Sequence, residues 1–407
     1  MSHDETDQAR RDFLVAGAGV VLAAGLPRAA WAADAPKPPA DPPGTIPNKI
    51  VLAEKDPAMK PHSERPLTAS VTAEYLGDDV TPTHRHFVRN NLLTPDFDEA
   101  THKVEIAGLV DKPMTLTVAE LRSRFPAVTT QAMLECAGSG RTGYTPRPRG
   151  TPWPTTGGMS CSQWTGARLA DVLRAAGVRA DAVHVAFTGA DFGALPTIPK
   201  VARSVPIAKA MEQHTLIAYG MNGGAIPKIH GHPMRVVVPS WAGSASIKWI
   251  GRIEVLPAPL KGPYMDASYR IPREPVEPGS KMPPDALMTE AWPVKSIITH
   301  PAPGAQVSRG KPMLIAGKAW AGEHDIARVE LSFDEGRTWR NAQLNPAGDK
   351  YAWRTFSFAY TPARGGYTTV LARATDDAGN TQPLVAAWNP LGYFWNGWHR
   401  VGFTVTA

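Results

Sequence analysis

The chain has 407 residues, 43% hydrophobic and 20% charged, with 40 prolines, 36 glycines and a formal net charge of +6. That length exceeds the roughly 250–300 residues at which a single core stops growing, so two domains are expected, and the proline and glycine content argues against a fold built of long helices. Lysines and arginines are dispersed rather than interleaved with aromatics, which excludes a nucleic-acid stripe and leaves small anions, an anionic cofactor or an acidic protein as partners.

In chain order, the first segment reads QARRDFLVAGAGVVLAAGLPRAAWAADA, with paired Arg10 and Arg11, an apolar run and small residues at Ala30 and Ala32. This is the pattern of a twin-arginine export signal over residues 1–32, so a periplasmic location is expected. The apolar run is shorter than the ~18 residues of a spanning helix, and no membrane span is expected after signal removal. Residues 33–60 form a proline-rich leader, with the folded part beginning near residue 48.

Residues 61–285 alternate strand-like runs at 103–107, 183–187, 235–238 and 247–255 with short helical patterns. The clearest helix is GARLADVLRAAGV, in which Leu169, Val172, Leu173 and Ala176 share a face and Gly177 is the expected C-cap. A proline-dense connector spans residues 257–290. Beyond it, segments such as VELSFDEGRTW and YTTVLARATDDAGN alternate apolar and polar residues between turns, the signature of an immunoglobulin-like β-sandwich over 286–407. The fold class read from these elements is α+β: a mixed α/β domain followed by a sandwich.

Two stretches carry chemistry. In LECAGSGR a strand is expected to end at Cys136, followed by a tight glycine turn. The residues alone leave three readings open: a disulfide with Cys161, a buried thiol, or a thiolate bound to a metal beside cations and backbone amides. There is no HExxH, CxxC or CxxCH motif, and the H-x-H pairs at 84–86 and 230–232 read as surface or turn histidines, so a metal on Cys136 would need most of its ligands from a bound organic group. In MNGGAIPKIHGHPMRVVVPSWAGSASIKWIGRIEV, cations flank a strand and a small-residue loop, which is either a phosphate cradle or a plain hairpin with basic residues at its rim.

Taken together, FVRNN at 87–91, LECAGSGR at 134–141, WTGARLADVL at 164–173, MNGGAIPKIHGHPMRVVVP at 221–239, IKWIGRIEV at 247–255 and the tail WNPLGYFWNGWHRV resemble the sulfite oxidase family of molybdenum enzymes, in the family's order. The resemblance implies a molybdopterin-binding catalytic domain and a dimerisation domain forming a homodimer. It implies that Cys136 is the protein ligand of molybdenum, with a pyranopterin dithiolene supplying further sulfurs. By the same matching Phe87, Val88, Arg89, Asn90, Asn91, Asp191, His230, Arg235, Ser246, Ile247 and Lys248 would contact the pterin and its phosphate. Arg89, Arg141 and Tyr269 would bind the substrate oxyanion, Trp153 would line the pocket, and Arg354 would reach it from the second domain. Guanidinium forks suit small oxyanions because they present two donors at fixed geometry. The sequence departs from the family pattern at Ser139, Gly140 and Asn91, which bears on pocket shape. The implied activity is oxidation of sulfite to sulfate without heme in this chain, with electrons passing to a separate c-type cytochrome; the alternatives are the molybdenum subunit of a sulfur-oxidising complex, a sulfoxide reductase of the same family, or a cofactor-free periplasmic binding or scaffold protein.

Overall fold

The computed structural model describes residues 41–407; the export-signal expectation lies outside them. Two sheets and the helices beside them build the first part of the fold. One sheet runs Gly224–Ala225, Leu216–Met221, Met159–Arg168, Ala127–Glu135, with Arg235–Val237 also pairing with Leu216–Met221. The other runs Met114–Leu116, Val104–Gly108, Ile250–Leu256, His184–Gly189, Ala202–Pro206, and within it Ile250–Leu256 lies parallel to Val104–Gly108.

Local chemistry explains the helices. Val118–Arg124 starts at Thr117, whose Oγ1 accepts from the Glu120 N–H at 3.2 Å while the Glu120 carboxylate accepts from the Thr117 N–H at 2.8 Å, a reciprocal capping box. Leu169–Ala176 ends where Gly177 takes the left-handed conformation at φ +72°, as its position in the sequence implied. Its Leu169, Val172, Leu173 and Ala176 are fully buried in a core shared with Val185, Phe187, Ile217 and Ile253. Complete burial of each of the three larger side chains contributes roughly 1.5–3 kcal/mol, which is why the amphipathic pattern alone located this helix.

A three-stranded sheet, Lys60–Glu64, Leu67–Ser70 and Val88–Arg89, packs over a second core containing Met133, Met159 and Cys161. That core also takes in Val51, from the helix Asn48–Ala53. The fold thus begins with this helix, near residue 48 as expected, within the 33–60 leader segment, because Val51 finds an apolar site and Lys55, just beyond the helix, is drawn inward.

The second part is a sandwich. One sheet runs Lys295–His300, Met313–Trp320, Arg354–Tyr360, Gln343–Leu344, and the other runs Gln306–Ser308, His399–Thr406, Gly366–Asp376, Ile326–Ser332, Arg340–Asn341. Val329 and Leu331 project to the core with Ile315, Phe356, Val370 and Phe403, as the period-2 pattern required. One expected strand is shorter than read. The run at 247–255 begins only at Ile250, because Trp249 sits at φ +49° and the preceding residues turn away from the sheet. The expected connector contains a turn at Pro263–Ala267 and the short strand Arg270–Ile271, with Tyr269 between them.

Candidate active site

Strand Ala127–Glu135 pairs antiparallel with Met159–Arg168, and Cys136 is the residue that leaves its end. The Cys136 N–H donates to Gly158 O at 2.8 Å and its carbonyl accepts from the Ser139 N–H at 2.8 Å, so the thiol stands on a tight turn. Gly140 at φ +81° continues that turn, and Gly243 presses against its start: a Cβ there would lie 2.8 Å from Glu135 O. Cys161 pairs in register with Met133 on the same ladder, three residues along from Gly158. At ~3.3 Å per residue that separation is beyond the reach of a disulfide. Both thiols are free, and burial pushes the Cys161 thiol up to about 11.

Cys136 opens into a cleft whose walls come from widely separated parts of the chain. Phe87, Arg89 and Asn91 contribute one wall, Asp191 and His230 a second, Arg235, Ser246, Ile247 and Lys248 a third, and Tyr269 the rim. The structure thus brings together eleven of the residues selected from sequence. The cradle region is more than a hairpin rim. Arg235 is buried, its guanidinium donating to His230 O and Ser246 O at 2.9 Å each and lying 4.9 Å from the Trp164 ring centroid. Lys248 Nζ donates to Ile229 O at 2.9 Å and to Asn90 Oδ1, which explains how Asn90 serves the site from behind the wall.

Five expected residues are not on the cleft surface. Val88 and Asn90 are buried behind it. Trp153 is buried behind Phe87, edge to face at 6.3 Å. Arg141 turns its guanidinium to Thr151 O at 2.8 Å and Leu391 O at 3.0 Å. Arg354 lies in the sandwich, held by Asn345 O at 3.0 Å and Ile326 O at 2.8 Å, and does not reach the cleft. The β-strand that carries it directs it to neighbouring carbonyls of its own domain.

Two functional candidates escaped the sequence reading. His86, read as a surface or turn residue, is buried and lines the cleft, with Nδ1 2.9 Å from Ser162 Oγ and its ring 4.8 Å from that of His230. Lys55, in the supposed leader, is buried with Nζ donating to Thr83 O at 2.9 Å and His86 O at 3.1 Å, and it also meets His230 Nε2. The H-x-H spacing was visible; the burial of both features depends on contacts remote in sequence.

The electrostatics are lopsided. Among the described residues, Lys55, Arg89, Arg235 and Lys248 converge on one region where Asp191 is the single carboxylate lining the cleft. Burial pulls Lys55 down to about 7, Arg235 to about 9, and Lys248 well below the ordinary lysine range. It holds His86 and His230 well below the usual imidazole range, leaving both rings neutral, and pushes Asp191 up to about 7 against the opposing pull of Lys248. Buried cations without counter-ions are costly, so the site is built for an anion that supplies the missing negative charge. A pterin phosphate meets that need, the imidazoles of His86 and His230 and the carboxyl of Asp191 can hydrogen-bond a pterin, and Cys136 offers one sulfur. Among the described residues no group of three His, Cys, Asp or Glu side chains is placed to hold a metal ion. The donor set therefore fits a metal carried by an organic dithiolene, with the protein adding one sulfur.

The molybdopterin-binding domain of oxidoreductases matches residues 91–264 and the molybdenum-cofactor oxidoreductase dimerisation domain matches residues 286–406. Sulfite oxidase of Gallus gallus is 33% identical over 361 residues, covering 85% of this chain and 78% of that protein. The mitochondrial sulfite oxidase of Homo sapiens is 35% identical over 363 residues, and the match spans 85% of this chain and 66% of the human protein. The chain belongs to the sulfite oxidase family. A solved structure, the sulfane dehydrogenase SoxCD from Paracoccus pantotrophus, superposes with a TM-score of 0.73 at 26% identity, over 90% of this chain and 94% of that one. The mixed α/β domain with a following β-sandwich is accordingly the family architecture, and most of the anion-demanding cleft's lining falls within the molybdopterin-binding match, with His86, Phe87, Arg89 and Tyr269 outside it.

Proposed function

We propose that the protein is a periplasmic, heme-free sulfite dehydrogenase that oxidises sulfite to sulfate and passes electrons singly to an external c-type cytochrome, working as a homodimer. The observation that carries this reading is the single thiol of Cys136 facing a cleft with Arg89, Asn91 and Tyr269 beside it and buried cations deeper in. The molybdenum cofactor, when bound, supplies the two-electron oxidation and the transferred oxygen. The protein's own residues do the rest. Lys248 and Arg235 would hold the cofactor's phosphate, with Lys55 behind them at His230, and Asp191 with the neutral imidazoles of His86 and His230 would fix the ring system. Arg89 places the sulfite oxyanion, while the Tyr269 hydroxyl, 3.4 Å from the Asn91 side chain, orients it. Sulfite oxidases among the relatives support the substrate, and the residues near the thiol are those a small oxyanion requires.

The test is direct. Protein exported through an intact twin-arginine pathway is expected to carry about one molybdenum per chain, and to reduce ferricyanide and a periplasmic c-type cytochrome with sulfite. Metal-free protein from that route, or loaded protein inert to sulfite, would overturn the reading. The likeness to sulfane dehydrogenase favours a second substrate class, protein-bound or low-molecular-weight sulfane sulfur, and the same assay with such donors in place of sulfite separates the two.

A further inference from the structure

Tyr269 sits at φ +57°, a left-handed conformation that an aromatic residue adopts only where its surroundings over-determine it. The surroundings come from both domains. The ring of Tyr393 lies parallel to that of Tyr269, 12° between planes and 5.5 Å between centroids, within the range of an offset stack. The Tyr269 N–H donates to Tyr393 Oη at 3.4 Å, and both residues are buried.

Cations complete the stack. The Arg203 guanidinium lies 4.9 Å from the Tyr269 centroid, and that of Arg141 lies 5.4 Å from the Tyr393 centroid, both inside the ~6 Å reach of a cation–π contact. Neither guanidinium is free to move. Arg203 donates to Tyr264 O at 2.8 Å and Thr289 O at 3.1 Å, and Arg141 to Thr151 O and Leu391 O. Tyr393 is itself anchored: its carbonyl accepts from Tyr144 Oη at 2.7 Å and Asn389 Nδ2 at 2.8 Å, and its N–H donates to Asn389 Oδ1 at 2.9 Å. The one part of Tyr269 left for chemistry is its hydroxyl, at Asn91 and the cleft.

We propose that Tyr393, supplied by the sandwich domain, is a positioning residue that holds the Tyr269 ring in its left-handed pose and so fixes the Tyr269 hydroxyl in the substrate cleft, with Arg141 acting through Tyr393. The proposal rests on the reading of that cleft as the site of oxyanion oxidation. It makes the second domain part of the active site as well as a dimerisation module.

A double-variant cycle on the purified, molybdenum-loaded enzyme tests it, with ferricyanide as acceptor. Tyr393→Leu is expected to lower kcat/KM for sulfite about tenfold or more with molybdenum content unchanged, while Tyr393→Phe, which keeps the stack, recovers most of that loss. Because Tyr393 acts through Tyr269, Tyr269→Phe/Tyr393→Leu is expected to be no slower than Tyr269→Phe alone, within about twofold. Losses that multiply in the double variant, or a Tyr393→Leu enzyme within about twofold of the parent, overturn the proposal. Should Tyr393→Leu fail to fold, Tyr393→Phe against Arg141→Met in the same cycle replaces it, and equal additive losses count against the proposal. The sulfate dissociation constant, measured by calorimetry on the same proteins, needs no turnover. A parent enzyme that ignores sulfite therefore refutes the functional reading alone, while non-additive weakening of sulfate binding at positions 269 and 393 still supports Tyr393, and additive or absent weakening refutes it.

Discussion

Replacing Lys295 by Met removes a buried cation from beneath the cysteine turn. Lys295 Nζ lies 2.7 Å from Glu135 Oε1 and 3.3 Å from Ser139 Oγ, and Glu135 Oε2 accepts from Trp320 Nε1 at 2.9 Å. The Lys295 and Glu135 side chains are only 2% and 7% exposed, so water screens the pair little. Hydrogen bonds to a charged group contribute about 1.5–3 kcal/mol each, and removing one member of a buried pair costs about 3–5 kcal/mol because the other is left uncompensated. Lys295→Met is therefore expected to destabilise the chain by about 3–5 kcal/mol. Lys295→Met/Glu135→Gln is expected to regain more than half of that, since a neutral glutamine still accepts from Trp320. Urea unfolding followed by tryptophan fluorescence, at fixed protein concentration and fixed cofactor loading, reads both. A single variant as stable as the parent, or a double variant whose loss equals the sum of the two singles, would refute the view that this ion pair fastens the second domain to the cysteine turn.

Cys136→Ser is expected to keep the fold and abolish sulfite oxidation, with X-ray absorption of any retained molybdenum showing one sulfur fewer in its first shell. Cys161→Ser is expected to leave molybdenum content and turnover unchanged, at a stability cost of about 1 kcal/mol, because that thiol is buried, high in pKa and held by Gln131 Nε2 at 3.5 Å and the Trp353 backbone, groups a serine hydroxyl can also meet. Gly243→Ala is expected to lower cofactor retention, read as molybdenum per chain, because the added methyl meets Glu135 O at 2.8 Å. In the cofactor-free protein Lys55 is pulled down to about 7, so between pH 7 and the ~10.4 of a free lysine the unfolded chain binds more protons than the folded one. Stability therefore rises with pH across that window, and the full cost is present below pH 7. Lys55→Met is expected to flatten this rise in urea midpoints between pH 7 and 10, and an unchanged slope would show that Lys55 is hydrated.

Much of this was legible because it is local. The period of GARLADVLRAAGV and the alternation in VELSF fix a helix and a strand through short-range geometry, and LECAGSGR announces a turn at a thiol because glycines permit it. What stayed hidden is set by contacts distant in sequence. Lys55 looks like any lysine after a proline-rich stretch until the carbonyls of Thr83 and His86 receive it. The H-x-H at 84–86 carries one exposed and one buried histidine, a difference no spacing encodes. The run at 247–255 is apolar enough to read as one strand, yet its first residues are diverted to place Lys248 at the cleft, so function overrides propensity there. The family resemblance directed Arg354 to the pocket, whereas the second domain's contribution comes from residues 391–395, where main-chain atoms and aromatic rings do the work and side-chain charge gives no clue.

The Phe394 N–H donates to Ala137 O at 2.8 Å, and Trp395 lies against Gly140 and Gly143, so the turn bearing the thiol is closed by the second domain, from a segment far downstream in the sequence. A nascent chain in which residues 391–395 have not yet emerged can form the core around Leu169 and Ile217 but cannot seal this turn. Closure of the cysteine turn is thus expected to wait for the second domain to dock, and removal of residues 391–395 should be felt first as a failure of maturation.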